Sequence, residues 1–325
     1  MAKLIQRRDV ISLAAGAAAL PFAAQAQQRP LPVVGFLAAG PNGPNRLGAS
    51  FHQGLKEAGY VEGQNVVIEY RGAPPYLGNL GELATEFVRR QVAVILTSND
   101  GPALAAKRAT STLPVVFFNI SSDPVTLGLV SSINRPGGNV TGATFDGPQL
   151  AAKRLDLICQ LLPTAATVAY LTRGPTLLSY EEEKSSLVAA ARALGRQLTI
   201  VECRSDDGLG QSFASMVERG ACAVVVGPLF GDAVVSFAAE YRIPAAYFGR
   251  GFVLRGGLMS YSGNQADEIR IAGGLVGQIL KGAMPADLPV RRSNKFEFVI
   301  NLKTAKELSL KVPDTLLVFA DELID

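Results

Sequence analysis

The chain has 325 residues, 48% of them hydrophobic and 18% charged, which is too apolar for a disordered protein and too long for one small core. Its formal net charge is +3, and Lys3, Arg7 and Arg8 against Asp9 account for +2 of it, so the remainder carries +1 and offers no basic surface for nucleic acid. One large or two medium folded lobes are expected.

The first 26 residues, MAKLIQRRDVISLAAGAAALPFAAQA, read as a leader. A basic start, an apolar stretch from Val10 to Leu20 and Ala24-Gln25-Ala26 match an export signal with a small-residue cleavage site. Arg7-Arg8 followed by Asp9, Val10 and Ile11 is similar to a twin-arginine (Tat) signal, with Gln6 in place of Ser or Thr and Val10 in place of Phe. The apolar stretch is short of the ~20 residues of a spanning helix, and Pro21 interrupts it. No Cys follows the site, so no lipid anchor is expected.

Strand-like and helical patterns then alternate. Val33 to Leu37 leads to a helix bearing Leu47, Phe51, Leu55 and Ala58; Val66 to Tyr70 leads to one bearing Leu80, Leu83, Phe87 and Val88. Further strand runs are Val92–Leu96, Val115–Phe118, Val168–Leu171, Leu198–Val201, Ala223–Val226 and Ala245–Phe248. They are continuously apolar rather than alternating, which predicts parallel strands covered on both faces. Pro102 after Asp100-Gly101 and Pro124 after Asp123 mark helix starts, and Ser179 to Glu182 reads as a capping box opening a helix that ends near Gly195. Asn139 to Gly147 and Met259 to Asn264, rich in Gly, Ser, Thr and Asn, read as crossovers between lobes. A helix with Ile269, Gly273, Val276 and Leu280 on one face is expected to return to the first lobe, and a strand at Phe296–Leu302 to complete the second. The predicted fold class is α/β, two doubly wound parallel-sheet lobes, one over 27–142 with 262–287 and the other over 143–261 with 288–325.

Enzyme motifs are missing. His52, the one histidine, lies in an amphipathic helix, so neither a His-based triad nor a multi-His metal cluster can be assembled. There is no Walker loop and no dinucleotide glycine fingerprint, and no cofactor is expected. Cys159, Cys203 and Cys222 read as buried fillers, with a Cys203–Cys222 disulfide as the alternative in an oxidising compartment. The run Glu181-Glu182-Glu183-Lys184 reads as solvated surface at a helix start.

What remains is a set of strand-end loops lined with hydrogen-bonding groups. In the first half they hold Thr97, Ser98 and Asn99, then Asn119, Ser121, Ser122 and Asp123. In the second they are Thr172-Arg173-Gly174, Gly227-Pro228-Leu229-Phe230 and Gly249-Arg250-Gly251, with Tyr247, Phe248 and Tyr261 able to cover an apolar ligand. Asp100 and Asp123 serve equally well as helix caps, and Arg173 and Arg250 as rim charges, so both readings stand.

The segments GLKEAGYVEGQNV, SINRPGGNVTG and KFEFVINLKTAKEL, with FVRRQVAVILTSNDGPALAAKRATSTLPVVF, carry a resemblance over nearly the whole mature chain. It is similar to the ABC-transporter substrate-binding protein family of the tryptophan-binding type. That resemblance implies a type I periplasmic binding-protein fold, two α/β lobes joined by three crossovers, with solute in the cleft. It also implies that Thr97, Ser98, Asn99, Ser122 and Asp123 face the cleft from the first lobe, where relatives meet an amino acid's carboxylate and amino groups. The second lobe departs: Thr172-Arg173-Gly174-Pro175 stands where many relatives have Asn-Pro-Asn, and Gly227-Pro228-Leu229-Phe230 where they have Asp-Pro-Phe.

The candidate ligand-binding set is therefore Thr97, Ser98, Asn99, Ser122, Asp123, Arg173, Phe230, Arg250 and Tyr261. The expected protein is a periplasmic monomer that binds a small organic solute, such as an amino acid or an aromatic or carboxylic acid, and hands it to an inner-membrane ABC permease. It is not expected to be an enzyme. Two rivals remain: a ligand-sensing partner of a membrane receptor, and a secreted α/β enzyme using Asp123 and Arg250. Cleavage after Ala26 should leave Gln27 first; mass spectrometry of exported protein checks this, and an intact Met1 contradicts it.

Overall fold

The computed structural model describes residues 30–39, 47–73, 79–145, 147–176 and 178–325, so the leader expected over 1–26 lies outside the described residues. Apolar runs of the first half form strands β1 (Val33–Ala39), β2 (Val67–Ala73), β3 (Val94–Ser98), β4 (Val115–Phe118) and β5 (Val140–Thr144). They alternate with helices α1 (Gly48–Glu57), α2 (Leu80–Arg89) and α3 (Asp100–Ala109). All pair in parallel in the order β2-β1-β3-β4-β5, and a short β11 (Arg291–Arg292) extends the sheet beside β5. Phe51 and Leu55 lie in the core on one face, while Ala84, Phe87, Ala103 and Ala106 belong to the core on the other. Burial on both faces is why VILTS and VVFF lack a polar alternation.

The second half repeats the plan without repeating the sequence. Its strands are β6 (Thr167–Thr172), β7 (Gln197–Glu202), β8 (Ala223–Val226), β9 (Ala245–Tyr247) and β10 (Met259–Gly263), in the order β7-β6-β8-β9-β10. β12 (Phe296–Asn301) and β13 (Glu322–Ile324) complete the sheet, β12 lying antiparallel to β10 with Met259 opposite Ile300. The helices are α4 (Gly147–Leu161), α5 (Tyr180–Ala193), α6 (Leu209–Glu218), α7 (Ala233–Glu240), α8 (Arg250–Leu254), α10 (Leu302–Glu307) and α11 (Asp314–Phe319). α9 (Gln265–Leu280), capped by Asn264 accepting from the Asp267 N–H at 2.9 Å, leaves β10 and packs against the first sheet.

Several local expectations are corrected. Met259–Asn264 is not a free crossover; Met259–Gly263 is a strand inside the second sheet, just as Val140–Thr144 is one in the first. Their small residues answer to packing rather than to turns: a Cβ at Gly142 would come within 2.3 Å of the Phe117 carbonyl oxygen. The chain crosses between lobes only beyond these strands, in three passes that lie side by side, with Ser293 N–H donating to Thr144 O at 2.9 Å and Asn264 N–H to Lys295 O at 2.8 Å. No helix follows Pro124. One turn forms, and Gly128 at φ 68° ends it. The Ser179 hydroxyl does not close a capping box; it donates to Glu183 at 2.7 Å. Cys159 and Cys203 are buried, but Cys222 is exposed, and all three are free.

The return of α9 depends on close helix contact. An added Cβ would fall 1.9 Å from the Arg270 carbonyl oxygen at Gly54 and 2.4 Å from that of Phe51 at Gly273. Backbone cannot yield as a side chain can, so Gly54→Ala should lower unfolding stability by about 1–3 kcal/mol or more. Gly81 on α2 has nothing within 4 Å of such a Cβ, and Gly81→Ala should leave stability unchanged or raise it by up to about 1 kcal/mol. Urea denaturation of both variants checks the contrast, and equal midpoints contradict it.

Candidate functional site

Parallel strands deliver their polar ends to one edge, and in an open α/β sheet ligands sit outside those carboxyl ends. Here the carboxyl edges of the two sheets border one cleft of about 280 Å³. Asn99, Asn119 and Ser121 line it from the first lobe, Leu150, Arg154, Glu183, Pro228, Leu229, Phe248 and Ser262 from the second, and Phe145 where the chain leaves β5.

The first-lobe wall is held by buried carboxylates. Asp100, at the start of α3, accepts from the Ser121 N–H at 2.9 Å, the Ser121 hydroxyl at 2.9 Å and the Ser122 hydroxyl at 2.8 Å. It thereby ties the loop after β4 to the loop after β3. Glu268 on α9 accepts the Asn119 N–H at 2.6 Å. These ties hold unusual backbone: Asn99 has φ 72° and ψ 164°, a region nearly reserved for glycine, and Asn119 has φ 54°. Leu229, across the cleft, has φ 68°. Three of the six non-glycine residues with positive φ among the described residues therefore line this cleft, and strain of that kind concentrates at functional sites.

The second-lobe wall is apolar around two buried charges. Phe248 packs against Phe252 with ring centroids 4.8 Å apart, and Phe252 stacks on Tyr247 at 5.3 Å. Glu183, in the first turn of α5 and only 3% exposed, accepts from Ser179 and, at 2.5 Å, from the Tyr170 hydroxyl. Burial pushes its pKa up, while those hydroxyls and Arg154 pull the other way. Arg154 on α4 is 4% exposed, donates through Nη1 to the Tyr261 carbonyl at 3.2 Å, and has its pKa lowered by burial. Both charges stand on apolar helix faces, Arg154 between Ala151, Leu155 and Ile158, and Glu183 in line with Leu187 and Ala191. That is the sequence signal by which they could have been found, and Glu183 is not the solvated residue its charge run suggests.

Of the nine candidate residues, Asn99 lines the cleft. Thr97 is fully buried within β3, 3.5 Å from the Val116 carbonyl, and Ser98 is buried beside it with an unpartnered hydroxyl. Ser122 is spent on Asp100. Asp123 accepts from the Val125 and Thr126 N–H groups at 2.9 and 2.8 Å, the hydrogen bonds of a turn cap. Arg173 is buried, paired with Asp206, donates to the Leu229 carbonyl at 3.1 Å and lies 4.1 Å over the Phe230 ring, so both brace the Leu229 loop from behind. Arg250 grips Glu322 with two hydrogen bonds of 2.6 and 2.7 Å. Tyr261 meets Arg154 through its carbonyl while its ring stacks on Phe296 at 5.9 Å. Among the described residues no group of three His, Cys, Asp or Glu could hold a metal ion.

Comparison with known proteins agrees with this fold. The family model for ABC transporter substrate binding proteins matches residues 45–324. A tyrosine-binding protein of Clostridioides difficile (strain R20291) is 27% identical over 267 residues, covering 80% of this chain and 76% of its own. The crystal structure of an ABC domain in complex with L-Trp from Streptococcus pneumonia superimposes with a TM-score of 0.81 at 26% identity, covering 90% of this chain and all of that one. A conserved domain protein of Vibrio cholerae has the same fold, with a TM-score of 0.80 at 22% identity over 90% of this chain and 99% of its own.

Glu268 ties the site to pH. It is fully buried, its Oε2 has no partner, and burial pushes its pKa from 4.5 up to about 8 against a weaker pull from the Asn119 N–H. The folded protein keeps a proton there that the unfolded chain releases, so this contribution to stability is complete below about pH 4.5 and is lost as pH rises toward about 8. The loss reaches up to about 1.4 kcal/mol per pH unit. Glu268→Gln should be less sensitive than the wild type between about pH 5 and about pH 8 in denaturant titrations; equal losses in the two proteins contradict the assignment.

Proposed function

The chain belongs to the family of ABC transporter substrate-binding proteins, and we propose that it closes its two lobes on an amino acid with an aromatic or large apolar side chain. The observation that carries this reading is one cleft shared by both carboxyl edges, lined by hydrogen-bonding groups on the first-lobe side and by an apolar wall around Arg154 and Glu183 on the second. Its volume of about 280 Å³ lies near the lower end of the ~300–1,000 Å³ typical of ligand pockets, which suits one small solute rather than a peptide or an oligosaccharide. The tyrosine-binding relative and the L-Trp complex support the same class.

In this reading Asn99, Asn119 and Ser121 touch the solute, and Ser122, Asp123, Arg173 and Phe230 hold the loops that do. The lobes, one on each sheet, hinge at the crossovers beyond β5, β10 and β11. A solute touching both walls favours the closed state by its differential affinity, with no bond chemistry. The leader ending at Ala26 and the family together support export to the periplasm and delivery, as a monomer, to an inner-membrane permease.

Because the chain contains no Trp, bound L-tryptophan can be read through its own fluorescence. L-Tryptophan or L-tyrosine should bind, raise the melting temperature, and lower the radius of gyration in small-angle scattering. A hundredfold excess over Kd stabilises by about 2.7 kcal/mol. Tight binding without compaction removes the hinge; no binding by any aromatic or large apolar amino acid removes the solute class.

A further inference from the structure

Most buried or half-buried arginines of this protein meet a carboxylate. Arg250 presents its Nε and Nη2 edge to Glu322 at 2.6 and 2.7 Å, and Arg71 presents the same edge to Glu86 at 3.2 and 2.8 Å. Arg173 pairs with Asp206. Arg154 and the half-buried Arg196 form no ion pair among the described residues, and of these two Arg154 is the one that is 4% exposed and lines the cleft. Among the described residues its only hydrogen bond runs from Nη1 to the Tyr261 carbonyl, so the Nε and Nη2 edge is unused there, with Nε buried and without a partner.

A guanidinium does not shed its proton to escape such a setting, and a buried cation without a counter-ion is strongly unfavourable. Glu183 acts on Arg154 only through space: its oxygens accept from Ser179 and Tyr170, burial raises its pKa, and it makes no direct ion pair with the guanidinium. An apolar residue would suit the face of α4 beside Leu155 and Ile158 better. The free edge is the one that grips carboxylates in a planar, two-bond fork.

We infer that Arg154 is the acid-binding residue of the cleft, receiving the solute's carboxylate on its Nε and Nη2 edge while the apolar body packs against Leu150, Leu229 and Phe248. This rests on the cleft being the solute site. The ligand chemistry is a carboxylate on an apolar body about the size of one ring, whether the molecule is an amino acid or its deaminated counterpart.

The test titrates the wild-type protein calorimetrically with L-phenylalanine against L-phenylalaninamide, and with 3-phenylpropionate against 3-phenylpropanamide. At least one acid should bind, with its amide about 30-fold or more weaker, as expected when a buried charge loses its partner. A preference in the first pair alone marks the solute as an amino acid, and one in the second as a simple acid; either supports the inference. Arg154→Met should abolish the preference and, without ligand, melt at or above the wild-type temperature, because an unpaired buried charge has been removed. Acid and amide binding equally to the wild type, or a variant that keeps the preference, overturns the role of Arg154 while leaving the cleft as the site. Failure of all four probes to bind overturns the cleft reading and this inference together.

Discussion

Parallel strand pairing is the constraint from which the rest of this molecule follows. Helices must cover both faces of each sheet, so central strands such as β3, β4 and β8 are buried throughout and their polar ends fall at the carboxyl edge. With the chain crossing three times between two such sheets, the two edges border a common space. A site is then a product of topology before any particular side chain is chosen, which is why two lobes with little sequence in common share the strand order 2-1-3-4-5.

The side chains at that space divide between supports and receivers. Asp100 spends both oxygens on the backbone and hydroxyls of the loop after β4, and Glu268 one oxygen on the Asn119 N–H, fixing Asn99 and Asn119 in conformations that a free loop would leave. Arg173 does the same across the cleft for Leu229. Arg154 and Glu183 stand on regular helices, so their positions follow from the packing of α4 and α5 rather than from loop geometry. Placing the charges on rigid helices and the hydrogen-bonding groups on strained loops gives the cleft two fixed charges and an adaptable wall.

The sheet plan was legible because it is written in period: continuous apolar runs followed by helical spacing identify each βα unit, and the match is closest where burial is complete, as at Val115–Phe118. Composition misled where one residue type serves two causes. Gly and Ser in Met259–Asn264 read as a linker, yet they let a central strand approach its neighbours. Pro124 and Asp123 read as a helix start, yet Gly128 stops the chain after one turn. At the site, Asn99 could be placed from its strand-end position alone. Arg154 and Glu183 escaped notice because each lies in a charged stretch, AKR and EEEK, whose neighbours do reach solvent; only the helical face, set by Leu155, Ile158, Leu187 and Ala191, separates them from those neighbours. Which oxygen of Asp100 meets which hydroxyl is a matter of loops twenty residues apart in sequence, and no local pattern encodes it.

A solute held between the two carboxyl edges belongs to both lobes. The most direct measurement is the crystal structure of the protein with L-tryptophan. The indole should lie between Leu229 and Phe248, with Asn119 or Ser121 of the first lobe and Arg154 of the second both in hydrogen-bond contact with the same molecule. L-Tryptophan bound outside this cleft, or held by one lobe with the other unengaged, would contradict it.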